Sequence, residues 1–533
     1  MSLQAGPFLK FCGGSASEWI VSVLVITDRE TAPVLTASIG TKSIPTTATR
    51  IHGFQKSVFW TFRLLINRTA TQQTVVYKVT DDSDVASFDF HVPAQNAIPA
   101  MAYASCAGFH SAKAAQNYGA QKNERWQHLL SLHRQFAEPP QPGAQPADET
   151  AYHLLLMGGD QVYADAIWTD QETSSIVRWN DDGQSRKAKF TSLMATQVER
   201  FYLKLYLSRW KQSSPAEVYA SIPSIMMWDD HDIFDGWGSY EPELQYCPVH
   251  QGIFRIAAQY FRLFQHHSAS LSQVPGLVTA ATPTPIPGVI TVPTKNDENH
   301  TVGFSLGPLA IVAPDLRGSR TSDQILGRTH MDAIVNWLES LGTLPAKPRH
   351  LIVMLSIPLM YPSFQWIESV LGLLPGSQDL EDDLRDHWTS RPHREERLRL
   401  IHRLLKFARE QNCRITIVSG DVHVAAVSTI TADGLTDSRN VNVMNQFISS
   451  AIVNSPPPAT AMFFLNHVAN WKEDIDRNIV GEMKTYPNTS TTFIAKRNWL
   501  SLQPDSQHRI WANLHVEGEE HPYVKVIHPG DSI

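Results

Sequence analysis

Apolar and polar positions divide the chain into two regimes. From Glu18 to about Val92, short runs rich in β-branched and aromatic residues alternate with turns: WIVSVLVITD, VLTASI, SVFWTFRLLI, TVVYKVTDD and ASFDFHV. Helical periodicity is absent there, so the stretch predicts strands. Several strands in so short a stretch predict a small β-sandwich over residues 1–98, a structural or docking module. After Pro93, apolar strand-like runs alternate with helical ones, the pattern of an α/β domain over residues 99–533. LLLM (154–157), SIMMW (224–228), LAIVA (309–313), HLIVML (350–355) and RITIVS (414–419) read as buried strands. In HREERLRLIHRLLKFAREQN, Leu398, Ile401, Leu405 and Ala408 share a helical face, Leu404 and Phe407 widen it, and Asn412 stops it. QVERFYLKLYLSRWKQ and QGIFRIAAQYFRLFQHH are similarly amphipathic, with aromatic stripes that suit a core. Pro-rich segments at 138–148 and 281–294 predict surface loops, the second an insertion or a lid.

Composition narrows the function. At 533 residues the chain exceeds one ordinary core, so two or more domains are expected. Lys+Arg 45 against Asp+Glu 52 leaves a net charge of −7, which argues against a dedicated nucleic-acid binder. The longest apolar runs fall short of the ~18 residues of a membrane span. The first residues, MSLQAGPFLKFCGGSASEW, lack a basic segment followed by an apolar core, so a cytoplasmic protein is expected, or an extracytoplasmic one if an export segment has been removed. Four cysteines, Cys12, Cys106, Cys247 and Cys413, stand far apart, which excludes a Cys-rich zinc ribbon and a disulfide framework. The 22 histidines leave metal or acid–base chemistry open.

The chemistry lies after the strands. LLLMGGDQVYAD places Asp160 on a double-glycine turn with Tyr163 three residues on, and SIMMWDDHDIFDGWG places Asp229, Asp230, His231, Asp232 and Asp235 likewise. LAIVAPDLRGSR ends in Asp315 and Arg317, RITIVSGDVH in Asp421 and His423, and MAYASCAGFH carries Cys106 and His110. In an open α/β sheet the carboxyl ends of strands share one edge, where ligands bind. Carboxylates gathered there repel and lose hydration, at several kcal/mol, unless cations neutralise them. Mixed Asp, His, Tyr and Cys donors suit iron, manganese, zinc or calcium. One Asp using both oxygens could hold two ions about 3.5–4 Å apart, the spacing that clamps in-line displacement at phosphorus. Taken singly, each motif has a plainer reading: a GD turn caps a helix, Asp315 with Arg317 is a salt bridge, Cys106 is a core thiol. Their joint occurrence at separate strand ends favours chemistry.

GGDQVYAD, WDDHDIFDGWGS and VSGDVHVA, in this order, closely resemble the alkaline phosphatase D (PhoD-like) branch of the calcineurin-like metallophosphoesterases. YASCAGF, DLRGSR, ILGRTHMDAIVNWLESL and DHWTSRPHREER add to the resemblance, which spans most of residues 99–455. It implies a four-layer α/β/β/α sandwich preceded by a small β-sandwich, and a two-metal centre hydrolysing phosphate esters. The implied ions are Fe(III) with Ca or another divalent ion, Mn or Zn. By motif position Asp160 would bridge them, Tyr163 and Cys106 would hold the ferric ion, Asp230 and nearby Asp235 would supply acidic ligands, and Asp421 and His423 would complete the set. His231 would contact the reacting phosphoryl group and Arg317 would clamp phosphate. Many relatives carry Asn shortly after the DDH block where this chain has IFDGWG, which leaves open which of Asp229, Asp230 and Asp235 binds the second metal. The expected reaction is attack of a metal-bound hydroxide on a small-molecule phosphate ester or an exposed phosphodiester. The alternative is a non-catalytic, calcium-stabilised binding protein with a degenerate phosphatase domain.

Overall fold

The computed structural model describes residues 3–82, 84–109, 112–138, 149–279, 299–362, 388, 390, 392–434, 437, 439–457, 462, 471–486, 489 and 491–530. Both Pro-rich segments, apart from Glu138, His110 and the start of DHWTSRPHREER lie outside them. The first strands are β1 (Leu3–Gly14), β2 (Glu18–Thr27), β3 (Val34–Ile39), β4 (Lys42–Ile44), β5 (Ala48–Phe54), β6 (Ser57–Asn67), β7 (Gln73–Asp81) and β8 (Asp84–Val92). Next come β9 (Met101–Ala104), β10 (Leu154–Gly158), β11 (Ser224–Met227), β12 (Val302–Ser305), β13 (Leu309–Ala313), β14 (His350–Leu355), β15 (Arg414–Ser419), β16 (Ala425–Ala432) and β17 (Val443–Ile448). The chain ends with β18 (Lys472–Asp476), β19 (Ile479–Lys484), β20 (Phe493–Ile494), β21 (Asn498–Pro504), β22 (Ile510–Val516) and β23 (Tyr523–Ile527).

Two large sheets and one small one result. The first runs β23-β22-β21-β9-β10-β11-β1-β2-β6-β5, the second β12-β13-β14-β15-β17-β16-β19-β18 with β20 beside β16, and the third β4-β3-β7-β8. The fold is mixed α/β. Both large sheets have a parallel centre: β9, β10 and β11 in one, β13, β14, β15 and β17 in the other.

Uninterrupted apolar strands mark sheets buried on both faces. In β10, Leu154 and Leu156 enter a core between the two large sheets, while Leu155 and Met157 face helices. In β14, Ile352 and Met354 enter the same central core, and Leu351, Val353 and Leu355 face another set of helices. Each such side chain removed from water contributes about 1.5–3 kcal/mol. Residues of helices Ser192–Trp210, Ser213–Ser221 and Pro248–Gln265 join the core outside the first sheet, and residues of Gly327–Leu341 and Arg394–Gln411 the core outside the second.

The predicted strands VLTASI, LAIVA, HLIVML and RITIVS match β3, β13, β14 and β15 residue for residue. Asn412 ends helix Arg394–Gln411 in the left-handed conformation, φ 50°, its N–H donating to the Ala408 carbonyl. The buried face of that helix is centred on Arg397, Leu400, Ile401, Leu404, Leu405 and Ala408, and Leu398 is only half-buried. The strand-rich start extends further than its pattern suggested. β1 precedes the first predicted strand, pairs with β2, and meets β11 in parallel at Lys10 and Ser224, so β1, β2, β5 and β6 continue the sheet of β9–β11. After Pro456, β21 returns to pair with β9. The Tyr77 hydroxyl donates to the Ala220 carbonyl at 2.6 Å, tying the small sheet to helix Ser213–Ser221. Among the described residues no helix is long and apolar enough to cross a membrane.

Candidate metal centre

Polar residues follow seven strands at one edge: Cys106 after β9, Asp160 after β10, Asp229 and Asp230 after β11, Asp315 and Arg317 after β13, Ser356 after β14, Asp421 and His423 after β15, and Ser450 and Asn454 after β17. Parallel strands deliver these turns to a common end. Donor atoms gather in three groups, each with all members within 4.8 Å of one another: Cys106, Asp160 and His423; Asp160, Asp230 and His231; Asp160, Asp229, Asp230 and Asp421. Asp160 belongs to all three.

The turns are held in unusual backbone conformations. Cys106 (φ 53°), Asp160 (φ 57°), Asp421 (φ 70°) and His423 (φ 52°) are all left-handed. Each costs about 1 kcal/mol or more for a residue bearing Cβ, and such strain concentrates at functional sites. Gly159 sits at φ 105°, and a Cβ there would stand 2.9 Å from the Asp229 Cβ, so the double-glycine turn lets two strand ends approach. Asp232 braces the turn: its carboxylate accepts from the backbone N–H of Asp160 (2.8 Å), Gln161 (3.1 Å), Val162 (3.1 Å) and Asp229 (3.0 Å).

The electrostatics show what the cluster lacks. Asp160 is 1% exposed and its Oδ1 has no hydrogen-bond partner among the described residues; the same holds for Oδ2 of buried Asp229. A buried carboxylate oxygen left bare costs about 1–3 kcal/mol or more. Burial raises the Asp160 carboxyl well above its ordinary value; His231 draws it down, and Asp229, Asp230 and Asp232 push it up again. Asp229 rises to about 7, mainly by burial, with Arg317 opposing. Burial, with Asp160 beside it, also raises the Cys106 thiol, and burial, with Cys106 and Asp160, raises the Tyr163 phenol. Cations would take the place of these protons, and hard carboxylate oxygens, an imidazole, a thiol and a phenol suit such ions.

Tyr163 lies at the same edge. Its hydroxyl is 3.4 Å from His423 Nε2 and accepts from Asn454 Nδ2 at 2.9 Å, and its ring lies 4.4 Å from that of His231. Cys106 Sγ is 3.5 Å from Asp160 Oδ2 and 3.1 Å from Ser450 Oγ. His231 Nδ1 meets the Asp165 carboxylate at 2.9 and 3.0 Å. Burial pulls this imidazole down, but Asp165, Asp230 and Asp160 outweigh it and hold it well above its ordinary value.

Two residues take positions unlike those read from the motifs. Asp235 is exposed and outside the three groups; its backbone N–H donates to Asp165 Oδ1 at 2.9 Å. Eight residues beyond the end of β11, it lies past the cluster that Asp229 and Asp230 enter directly. The buried Arg317 guanidinium ion-pairs with Asp229 and Asp230 and donates to the Trp237 carbonyl at 3.1 Å. The motif reading expected this guanidinium to clamp phosphate; the contacts it makes are with two carboxylates of the cluster. Asp315 does not pair with that guanidinium either: it accepts from the Arg317 backbone N–H at 2.9 Å.

Asp165, Asn454 and Ser356 were not singled out in the sequence. Ser356 Oγ donates to Asp229 Oδ1 at 2.9 Å. Asp165 lies inside GGDQVYAD, two residues past Tyr163, and Ser356 directly follows HLIVML, so the strand-end rule reaches both. Asn454 follows a strand whose pattern was not read.

Fold and site together define a mixed α/β protein with a carboxylate-rich, cation-ready edge between two sheets. A family profile described as PhoD related phosphatase matches residues 144–375 and 369–478, more than half of the chain, and the protein belongs to that family. It is 27% identical over 516 residues to the uncharacterized protein YGR266W of Saccharomyces cerevisiae, a match covering 84% of this chain and 70% of the relative. The solved structure of PhoD superposes with a TM-score of 0.53 at 12% identity, covering 98% of this chain and 89% of that one, a likeness of fold.

Proposed function

We propose that the protein is a metal-dependent hydrolase of phosphoric esters, working with two ions. One would be held by Cys106, Asp160, Tyr163 and His423, the other by Asp160, Asp230 and Asp421 with Asp229 beside them. The observation carrying this reading is the shared Asp160, buried, strained and with one oxygen left without a hydrogen bond among the described residues. Membership of a phosphatase family supports it. The phenol and thiol suit Fe(III), and the carboxylate side suits Ca, Mn or Zn. When bound, such ions acidify water and draw charge from phosphoryl oxygens.

The chain's own groups do the rest. Asp165 engages Nδ1 of His231 and leaves Nε2 free to donate to a phosphoryl or leaving oxygen. Arg317 fixes Asp229 and Asp230 in register. Asn454 orients the Tyr163 oxygen. In the same reading the two large sheets and their outer helices form a four-layer α/β/β/α sandwich, whose first sheet residues 1–98 extend with β1, β2, β5 and β6, while residues 99–533 carry the catalytic groups. The substrate is a small phosphate ester or an exposed phosphodiester.

The test is elemental analysis of protein purified without chelators, together with hydrolysis of p-nitrophenyl phosphate and bis-p-nitrophenyl phosphate. Two metals per chain and turnover of either ester are expected. Asp160→Ala retaining full metal and activity would remove the proposal's basis, and calcium without hydrolysis would favour a binding protein. A visible charge-transfer band lost in Tyr163→Phe would assign iron to the phenolate side.

A further inference from the structure

We propose a second anion site, on the outer face of helix Arg394–Gln411, that takes a multiply charged phosphate group. A groove of about 650 Å³ runs between this helix and the turn joining β18 to β19, over an apolar floor of Leu405 and Ile479. Arg399, Arg403 and Lys406 follow one another at helical spacings of four and three, which puts them on one outward stripe. Arg477, in the turn between β18 and β19, lines the same groove.

Three of these cations are unspent. No side-chain hydrogen bond or ion pair joins Arg399, Arg403 or Arg477 to any carboxylate among the described residues, although all three line one groove. Two carboxylates line the groove with them and both are engaged, Asp433 by Arg409 at 2.8 Å and Glu410 by Lys406 at 3.7 Å, and Asp476 beside Arg477 is held by His402 at 2.7 Å. A chain of net charge −7 thus gathers five cationic side chains against two carboxylates in one concavity, where the surplus of like charge raises the local potential.

The chemistry favours phosphate. Guanidinium forks match tetrahedral oxyanions by paired hydrogen bonds, and arginines outnumber lysines here. The volume lies in the range of small-ligand sites. The groove is also remote from the metal-ready edge. Its Ile479 pairs with Ala432 and its Asp433 follows that residue, at the end of β16 opposite the one that Asp421 and His423 precede.

Calorimetric titration with tripolyphosphate, at low and at raised salt, tests the site in the wild type and in an Arg399→Gln, Arg403→Gln, Arg477→Gln triple variant whose thermal melt is checked alongside. The catalytic edge meets the probe equally in both proteins, so the difference between them carries the result. Saturable, salt-sensitive binding that weakens at least about tenfold in a normally melting variant is expected. Sedimentation with phosphatidylcholine vesicles, with and without a phosphoinositide, forms a second arm. Vesicle binding that requires the phosphoinositide and is lost in the variant identifies a lipid headgroup as the source, and binding of soluble tripolyphosphate alone identifies a free phosphate. Equal binding of both probes by wild type and variant, or no binding by the wild type, overturns the proposal.

Discussion

The turn after β10 and the turn after β13 each bury an aspartate at the end of a parallel strand, yet treat it in opposite ways. Asp315 accepts from Trp228 Nε1 at 2.6 Å, from the backbone N–H of His300 at 2.8 Å, and from those of Arg317 and Gly318 at 2.9 Å each. Burial alone would raise its carboxyl, but His300 and these donors outweigh burial and hold it at about 2. Asp160 has the same burial, and the backbone N–H groups around it are spent on Asp232. Its Oδ1 has no hydrogen-bond partner among the described residues, and burial drives its carboxyl upward. A buried carboxylate with its lone pairs filled is a brace; one with lone pairs to spare is built for a ligand.

The largest expected effect follows from that contrast. Asp160→Ala removes the donor common to all three groups, so ester hydrolysis should fall on the order of 10³-fold or more, about 4 kcal/mol of transition-state stabilisation, with metal content falling too. Because it also removes an unsatisfied buried carboxylate, the metal-stripped variant should melt no lower than metal-stripped wild type. A large drop in melting temperature without ions would mean that Asp160 is a brace after all.

Asp315→Asn should show the reverse: roughly 3 kcal/mol lost from folding, since an amide cannot accept the same set of donors, with metal content per folded molecule kept. Its acid dependence gives a sharper reading. The folded value of about 2 lies below the ordinary 3.8, so the stabilisation is complete above about pH 4 and is lost as pH falls from there toward 2. The shift corresponds to roughly 2 kcal/mol, and denaturant unfolding across that window should lose this slope in the variant.

How far the sequence carried depends on where each signal lies. Strands buried on both faces advertise themselves, so LAIVA, HLIVML and RITIVS were legible to the residue. The convergence of Asp160, Asp230 and His423 was legible too, because a parallel strand delivers its next residues to a fixed edge. The placement of β1 between β11 and β2, and of β21 beside β9, was not, since strand order is set by contacts hundreds of residues apart. Nor could local pattern separate Asp160 from Asp315, or reveal that Arg317 faces two carboxylates rather than open space. Those distinctions depend on which donors arrive from other strands.

A smaller effect is expected at Asp165, which supports a reacting group without joining the donor groups. Asp165→Asn keeps the shape but removes the charge that holds His231 Nδ1 at 2.9 Å. Turnover should fall about 10–100-fold with KM little changed, because the contact acts through His231 orientation, and metal content should stay at the wild-type level. Asp165→Glu, restoring the carboxylate, should recover part of the rate. Loss of metal in Asp165→Asn would move this residue to the Asp160 side of the comparison.

The smallest effect tests how finely the spare lone pairs are divided. Asp229 combines both treatments: Oδ1 accepts from Arg317 and from Ser356 Oγ, while Oδ2 has no hydrogen-bond partner among the described residues. Ser356→Ala removes one hydroxyl donor from the satisfied oxygen and leaves the Arg317 ion pair in place, so about 1 kcal/mol is at stake. Turnover should fall by about fivefold or less, and the metal bound on the Asp230 and Asp421 side should loosen slightly while the Cys106 and His423 side keeps its ion. Metal titration followed by elemental analysis reads the two sides separately. If Ser356→Ala instead matched Asp160→Ala, the satisfied oxygen of Asp229 would matter as much as the bare one, and counting unfilled lone pairs would not separate ligands from braces at this edge.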